Sequence, residues 1–317
     1  MAKGFASVGD TAEKTISFEE IGDGLYAFTA EGDPNTGVII GDDGVIVVDA
    51  QATPAMAGKV IERVRAVTDK PIKYVVLSHY HAVRVLGASA YGAEQVIASA
   101  TTRAMIHERG REDWESEYAR FPRLFQDAGS IPGLTWPTMT FSDSMTIHLG
   151  RRRVELMHLG RAHTAGDIVV WVPDADTVFT GDIVEYRSAC YCGDAHFLDW
   201  PETMARIDAF EPQALVPGRG DALTDRDTVR EAFALTTGFL ADTWRPVERA
   251  AAAGRPLKDA FAACREVCDP KYESFAIYEH CLPFNVARAY DEANGIDTPR
   301  IWTAERDREM WEALQGA

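Results

Sequence analysis

Residues 70–78, KPIKYVVLS, form a largely apolar run that constrains the fold more than any other part of the chain. A strand that is apolar along both sides has to be covered on both faces, as in the interior of an α/β protein. His79 and His81 follow the run directly, at the kind of strand end where α/β proteins collect functional loops. The segment therefore predicts a buried strand that brings two imidazoles to one edge of a sheet.

The segments around this strand alternate between strand and helix patterns. GLYAFTA and NTGVIIGDDGVIVVDA predict strands, the second a hairpin that turns at residues 42–44. ATPAMAGKVIERVRAVT predicts a helix, with Thr53 as its N-cap and Pro54 at its first position. EQVIAS predicts the next strand. The first hundred residues therefore indicate an α/β fold.

The rest of the chain gives a second strand-rich block and then helices. Residues 100–128 are helical and charged, and the strand patterns MTFSDSMTIHL, RRVELMHLG, DIVVWVP, DTVFTGDIV and QALVPG follow. After about residue 225 only helical pattern remains. We expect one domain over residues 1–235, with a helical insertion at about 100–135, and a helical C-terminal extension over residues 236–317.

Composition excludes several classes of function. The formal net charge of -17 argues against a nucleic-acid partner, because such binding depends on Lys and Arg that neutralise phosphates. No apolar run approaches the roughly 18 to 20 residues that a membrane span needs, and the N-terminal segment lacks the apolar core of a secretory signal. Five irregularly spaced cysteines do not form a disulfide framework. We expect a cytoplasmic protein.

Several residues that can bind a metal lie at predicted strand ends. They are Asp49, His79 with His81, His163 in GRAHTAGD, and Asp182 in VFTGD. A further strand end, LVPGRG, carries Arg219. Imidazoles and carboxylates brought together in this way suit Zn²⁺ or another borderline divalent metal.

In order and spacing these residues resemble the metallo-β-lactamase superfamily, over about residues 18–225. Its signatures are a strand-end Asp, an HxHxDH loop, a later His, a later Asp and a final His in a turn like PGHG. The resemblance implies an α/β fold of four layers, an αββα sandwich, with the metal site at the edge between two central sheets. It also implies that His79, His81, His163 and Asp182 bind metal, and that Asp49 supports the HxH loop by hydrogen bonds.

The chain departs from this pattern at three positions that all belong to the family's second metal site. Val83 stands in place of the Asp of HxHxDH, Arg84 in place of its last His, and Arg219 in place of the final His. Guanidinium cannot bind a metal, because it is always protonated and has no free lone pair. We therefore expect a single metal. The two arginines either bind an anionic substrate or fill the second site and pair with Asp182.

These features predict a mononuclear hydrolase, most simply with Zn²⁺, that acts on a small anionic molecule through a metal-bound water. Three histidines form a ligand set that lowers the pKa of such a water to about 7. Asp182 is the remaining residue that can orient or deprotonate it. Two alternatives stay open: an Fe²⁺ dioxygenase of the persulfide dioxygenase type, with His79, His163 and Asp182 as its facial triad, and a non-catalytic binding protein with an arginine-filled site.

Two more residues are candidates for substrate contacts. Tyr80 lies between the two histidines of the HxH loop, and His196 lies in CGDAHFLDW, shortly after Asp182. The aromatic C-terminal helices are typical of segments that cover a cleft or pack across a homodimer.

Overall fold

The computed structural model describes residues 6–315 and contains two β-sheets. The first sheet has seven strands in the order of the chain, antiparallel from β1 to β4 and parallel from β4 to β7. These strands are β1 Ser17–Gly22, β2 Leu25–Thr29, β3 Thr36–Ile40, β4 Val45–Val48, β5 Ile72–Val76, β6 Gln95–Ser99 and β7 Met139–Phe141.

The second sheet has five strands in the order β12-β11-β10-β9-β8. All of its pairs are antiparallel except β11 with β12, which is parallel. The strands are β8 Ser144–Leu149, β9 Arg152–Met157, β10 Val169–Val172, β11 Thr177–Phe179 and β12 Ala214–Val216.

Eight α-helices accompany the sheets in the described residues. They are α1 Pro54–Val67, α2 Ala82–Val85, α3 Ala100–Arg120, α4 Trp200–Asp208, α5 Arg226–Ala252, α6 Leu257–Tyr272, α7 Tyr278–Ala293 and α8 Ala304–Gln315. Helix α1 begins as predicted, with Pro54 at its first position and the Thr53 hydroxyl accepting a hydrogen bond from the Met56 amide at 3.1 Å.

Three apolar layers hold the sheets and helices together. Neighbouring residues of one strand point into different layers, because side chains alternate across a sheet. Ile46 of β4 packs between the two sheets, whereas Val47 packs towards α1 and α3. In β10, Val170 packs between the sheets and Val169 packs towards α4 to α7. The order of layers is helix, sheet, sheet, helix, which confirms the predicted αββα sandwich with C-terminal helices.

The structure differs from the sequence prediction at three places. The pattern MTFSDSMTIHL contains two strands in different sheets, since β7 joins the first sheet and β8 the second. Strand β1 was not predicted. The domain boundary expected after residue 235 falls inside α5, and Phe239 and Phe284 of the C-terminal helices share one core with β10. The C-terminal helices thus cover the second sheet rather than forming a separate unit.

The helices and the cysteines concern two expectations from the sequence, that the chain has no membrane span and no disulfide framework. None of the described helices is long and apolar enough to span a bilayer. All five cysteines are buried and free of disulfide bonds.

Strand register explains how distant residues come to one edge. Strands β4 and β5 are parallel, with Val48 opposite Val76, so Asp49 and Ser78 leave the sheet at the same end. Strands β11 and β12 are also parallel, with Phe179 opposite Val216. The turns that carry Asp182 and Arg219 therefore follow neighbouring strand ends in the second sheet, facing the loops of the first.

Candidate metal centre

Three buried histidines meet at the edge between the two sheets. His79 and His81 follow β5, and His163 lies in the loop between β9 and β10. None of their side chains is more than 2% exposed, and the nitrogen that each can offer to a metal lies within 4.8 Å of the other two. The structure thus brings together the three histidines that the sequence singles out.

The histidines are oriented with one nitrogen inward and one outward. His81 Nδ1 and His163 Nε2 face each other at 2.9 Å, and the buried Nε2 of His79 has no hydrogen-bond partner among the described residues. The outward nitrogens have partners: His79 Nδ1 contacts Ser78 Oγ at 2.9 Å and His163 Nδ1 contacts the Tyr191 carbonyl oxygen at 2.7 Å.

These contacts fix the protonation of His163. A carbonyl oxygen can only accept, so His163 Nδ1 carries the proton and its Nε2 presents a lone pair to the centre. A polar group on the outer nitrogen is the usual support of a metal-binding histidine. Together with the unpartnered Nε2 of His79, this arrangement fits a divalent metal ion bound by the three histidines.

Burial and neighbouring charges affect the three imidazoles differently. Burial lowers the pKa of His79 well below its usual value and that of His163 to about 3, so both are neutral. Burial also disfavours the charged form of His81, but the carboxylates of Asp113 and Asp194 outweigh it and raise the pKa of His81 to about 9. Asp194 Oδ2 lies 3.3 Å from His81 Nε2.

Asp49 supports the HxH loop through hydrogen bonds to Ser78, the residue before His79. Its two carboxylate oxygens accept hydrogen bonds from the amide and the hydroxyl of Ser78, both at 2.8 Å. Ser78 Oγ is also the partner of His79 Nδ1, so Asp49 acts on His79 through one hydroxyl. Burial raises the pKa of Asp49 to about 6, against the opposing effect of Arg84.

Asp182 lies beside the histidines in a short 3-10 turn after β11. Its Oδ2 is 3.7 Å from His163 Nε2 and 3.9 Å from His79 Nε2. The preceding Gly181 has φ +51°, and a Cβ there would come within 2.5 Å of Ser78 Oγ, so this close approach requires glycine. Burial raises the pKa of Asp182, but Arg84 and the two histidines outweigh it and hold the pKa below its usual range.

The two arginines of the altered motif have different surroundings. Arg84 is 1% exposed and its Nη2 binds Asp182 Oδ1 and, at 2.7 Å, the Gly218 carbonyl oxygen. Its Nη1 donates to the Asn35 carbonyl oxygen at 2.8 Å and lies 3.7 Å from Asp49. Arg84 therefore links both buried aspartates to the backbone of the second sheet.

Arg219 is held more loosely. Its Nη1 donates to the Gly32 carbonyl oxygen at 3.4 Å, and its Nε lies 4.0 Å from Glu185 Oε1 without forming a hydrogen bond. Both carboxylate oxygens of Glu185 also have no hydrogen-bond partner among the described residues. Arg219 lines a cavity of about 30 Å³ beside the centre, together with His81, Asp182, Glu117 and Arg120.

The other two candidates for substrate contacts do not line this cavity. The Tyr80 ring lies against His81, with ring centroids 4.5 Å apart, and is 2% exposed. His196 is buried, and its ring nitrogens have no hydrogen-bond partner in the described part of the chain. Its Nδ1 lies 3.9 Å from Asp297, and burial lowers the pKa of His196 to about 4.

Sequence reasoning missed the contribution of helix α3. Asp113 Oδ2 accepts a hydrogen bond from the Ala82 amide at 2.7 Å, and Glu117 Oε2 accepts one from the Val83 amide at 3.0 Å. Arg120, one turn further, is 2% exposed and reaches the cavity. The one signal in the sequence is the spacing of residues 113, 117 and 120, which places these charges on one helix face.

Comparisons with known proteins agree with this geometry. Residues 29–241 match the sequence profile of the Metallo-beta-lactamase superfamily. A linear primary-alkylsulfatase from Pseudomonas is 22% identical over an alignment of 233 residues, and the match covers 63% of this chain and 44% of that protein. A type 2 metallo-beta-lactamase from Bacteroides fragilis is 34% identical over 100 residues, 30% of this chain and 40% of that protein. The matches thus span less than half the length of these two relatives.

Solved structures show the same fold. The metallo-beta-lactamase from Pontibacter korlensis superposes with a TM-score of 0.57 at 19% identity, covering 71% of this chain and 99% of that one. The DIM-1 metallo-beta-lactamase superposes with a TM-score of 0.55 at 17% identity, covering 72% and 98%. With the family profile matching two thirds of its residues, the chain belongs to the metallo-β-lactamase superfamily.

Proposed function

We propose that this protein is a hydrolase that uses one divalent metal ion, held by His79, His81 and His163, to cleave a small anionic molecule. The observation that carries the proposal is the orientation of the three imidazoles, with their outer nitrogens on protein groups and their inner nitrogens converging. Zn²⁺ bound by three histidines lowers the pKa of a water that it coordinates to about 7.

The remaining parts of the site support a mononuclear centre. Arg84 and Arg219 stand where the family places ligands of a second metal, and Arg84 already pairs with one oxygen of Asp182. We assign Arg84 the role of filling this space and fixing Asp182, because its terminal nitrogens are taken up by Asp182 and backbone carbonyls. Asp182 keeps its other oxygen, Oδ2, towards His79 and His163.

We assign anion binding to Arg219, which lines the cavity beside the three histidines. Arg219 has an Nε without a hydrogen-bond partner among the described residues, and burial raises the pKa of the Glu185 carboxyl, which lies 4.0 Å from this Nε. Arg120 lines the same cavity, but its Nε pairs with Asp307 at 3.3 Å and its Nη1 donates to His280 at 3.2 Å, so Arg219 is the guanidinium assigned to the anion. Guanidinium groups suit carboxylate, sulfate or phosphate. A distant relative is named an alkylsulfatase, and a sulfate ester is such an anion.

Metal content and hydrolysis test the proposal together. Protein produced in medium replete in zinc and iron is expected to contain about one zinc per chain by elemental analysis, and to hydrolyse the anionic p-nitrophenyl sulfate in preference to the neutral p-nitrophenyl acetate. Stoichiometric iron with oxygen consumption would support the dioxygenase instead. Protein without metal would support the non-catalytic alternative, and two metals per chain would contradict the assigned role of the arginines.

A further inference from the structure

Helix α3 brings a carboxylate to the backbone amide of the residue at which the altered motif lacks one. Val83 replaces the aspartate of HxHxDH, yet its backbone amide donates to Glu117 Oε2 at 3.0 Å. One turn earlier, Asp113 accepts from the Ala82 amide and lies 3.9 Å from His81 Nε2. Two carboxylates of α3 therefore hold the first turn of α2 by its amides, immediately after the HxH histidines.

Glu117 also reaches the reaction space. The cavity of about 30 Å³ that it lines is large enough to hold a water molecule, and His81 and Asp182 form other parts of its wall. Asp182 is paired with Arg84, whereas Glu117 makes no ion pair within 4.0 Å in the described part of the chain. Of the two carboxylates in this wall, Glu117 is therefore the one without a direct ion pair, although its charge helps to raise the pKa of Arg120 from a longer distance.

We propose that Glu117 is the proton acceptor for the attacking water, in place of the aspartate that is absent at residue 83. This proposal rests on the hydrolase function proposed above. The water oxygen forms the new bond to the electrophilic atom of the substrate, and the proton of the water passes to Glu117. As the bond to the leaving group breaks, Glu117 returns the proton to it and becomes a carboxylate again. Val83 N–H holds one oxygen of Glu117 and leaves the other for the water.

Glu117→Gln tests this role, because it keeps the size of the side chain and an oxygen for the Val83 amide. The zinc content is expected to stay near that of the wild type. The kcat for p-nitrophenyl sulfate or acetate is expected to fall by about 10²- to 10³-fold with KM changed less than about threefold. Glu117→Asp should recover part of the rate.

A readout independent of activity uses the protein loaded with Co²⁺. In the wild type the d–d absorption of the bound cobalt should change with pH. A carboxylate in contact with the site influences the midpoint of this change. Glu117→Gln should therefore move the midpoint by about half a pH unit or more. Glu115→Gln is the matched control, since Glu115 lies on the same helix with its side chain 64% exposed, and it should leave rate and midpoint unchanged.

The outcomes separate this proposal from the proposed function. If Glu117→Gln keeps both the wild-type rate and the wild-type cobalt midpoint, Glu117 is not the proton acceptor, whatever the substrate. If the wild type binds metal but hydrolyses neither probe, this result counts against the proposed hydrolase function. In that case, an unchanged cobalt midpoint in Glu117→Gln would overturn the role of Glu117 as well. A shifted midpoint would place Glu117 at the water in either case.

Discussion

The candidate centre has a histidine half, formed by His79, His81 and His163, and an arginine half, formed by Arg84 and Arg219. The two halves differ in how many of their polar atoms have partners within the protein. In the histidine half, His79 Nε2 is buried without a partner in the described residues, and His81 Nδ1 faces His163 Nε2. In the arginine half, Arg84 binds Asp182 and two backbone carbonyls. The histidine half is thus arranged for an external ion, whereas Arg84 balances its charge within the chain.

Under the proposed single-metal assignment, this difference explains how a fold built for two metals can keep one metal site. A buried carboxylate needs a cation close by, because an uncompensated buried charge costs several kcal/mol. Arg84 supplies that charge to Asp182 and lies near Asp49 without needing metal. The fold around the second site can then persist while the first site retains its ligands.

The largest effect is expected from Arg84→Met. It leaves Asp182 and Asp49 buried without their guanidinium neighbour, and breaking a buried pair in this way costs about 3–5 kcal/mol. Urea unfolding of the metal-free protein measures the change. Arg206→Met is the control, since its pair with Glu202 is exposed, with side chains 54% and 72% accessible, and is worth about 1 kcal/mol or less. Equal losses in the two variants would show that Arg84 does not balance the aspartates.

A second prediction tests the histidine half directly. His163→Ala removes one of three converging nitrogens, and we expect zinc affinity to fall by about 100-fold or more, with the circular dichroism spectrum unchanged. His196→Ala is the matched control, because His196 is also buried but does not belong to the three-histidine cluster. Zinc retained at wild-type affinity in His163→Ala, or lost equally in the control, would contradict the ligand set.

The histidine half is the part of the site that the sequence predicts best. Each of its histidines follows or precedes a strong apolar strand, and parallel register then carries strand ends to a common edge. The αββα sandwich was predicted through the resemblance to the family, and the family match and related structures confirm it. Strand β1 was missed because SFEEIG alternates weakly, and its residues are only partly buried or exposed.

Contacts that depend on long-range packing could not be predicted. Glu117 and Arg120 lie in a charged helix whose sequence is typical of a solvated surface, and only its position against α2 turns one face inward. Whether Arg84 binds substrate or fills the second metal site also depends on partners that are far away in the sequence, such as Gly218. The spacing of residues 113, 117 and 120 places them on one helix face, but neither propensity nor motif spacing predicts that this face packs against α2.

His280 extends the comparison to a buried histidine outside the three-histidine cluster, which lines the same cavity as His81 but belongs to α7. Arg120 Nη1 donates to His280 Nε2 at 3.2 Å and His280 Nδ1 donates to Ser7 Oγ, so both nitrogens are satisfied within the chain. Burial, together with Arg120 and Arg219, lowers the pKa of His280 well below 6.5. Its role is structural, in contrast to the cluster.

This role predicts a pH dependence of stability. Below pH 6.5 the unfolded chain binds a proton at His280 that the folded chain does not, so stability falls as the pH falls. Between pH 7.5 and 5.5 the wild type should lose about 1.4 kcal/mol more than His280→Gln, in which this site cannot titrate. Urea unfolding of both proteins at the two pH values measures the difference, and the histidines of the cluster cancel because both proteins contain them. Identical losses would mean that His280 has the same pKa in the folded and the unfolded protein, so that the folded protein would bind this proton below pH 6.5 and Arg120 could not then donate to His280.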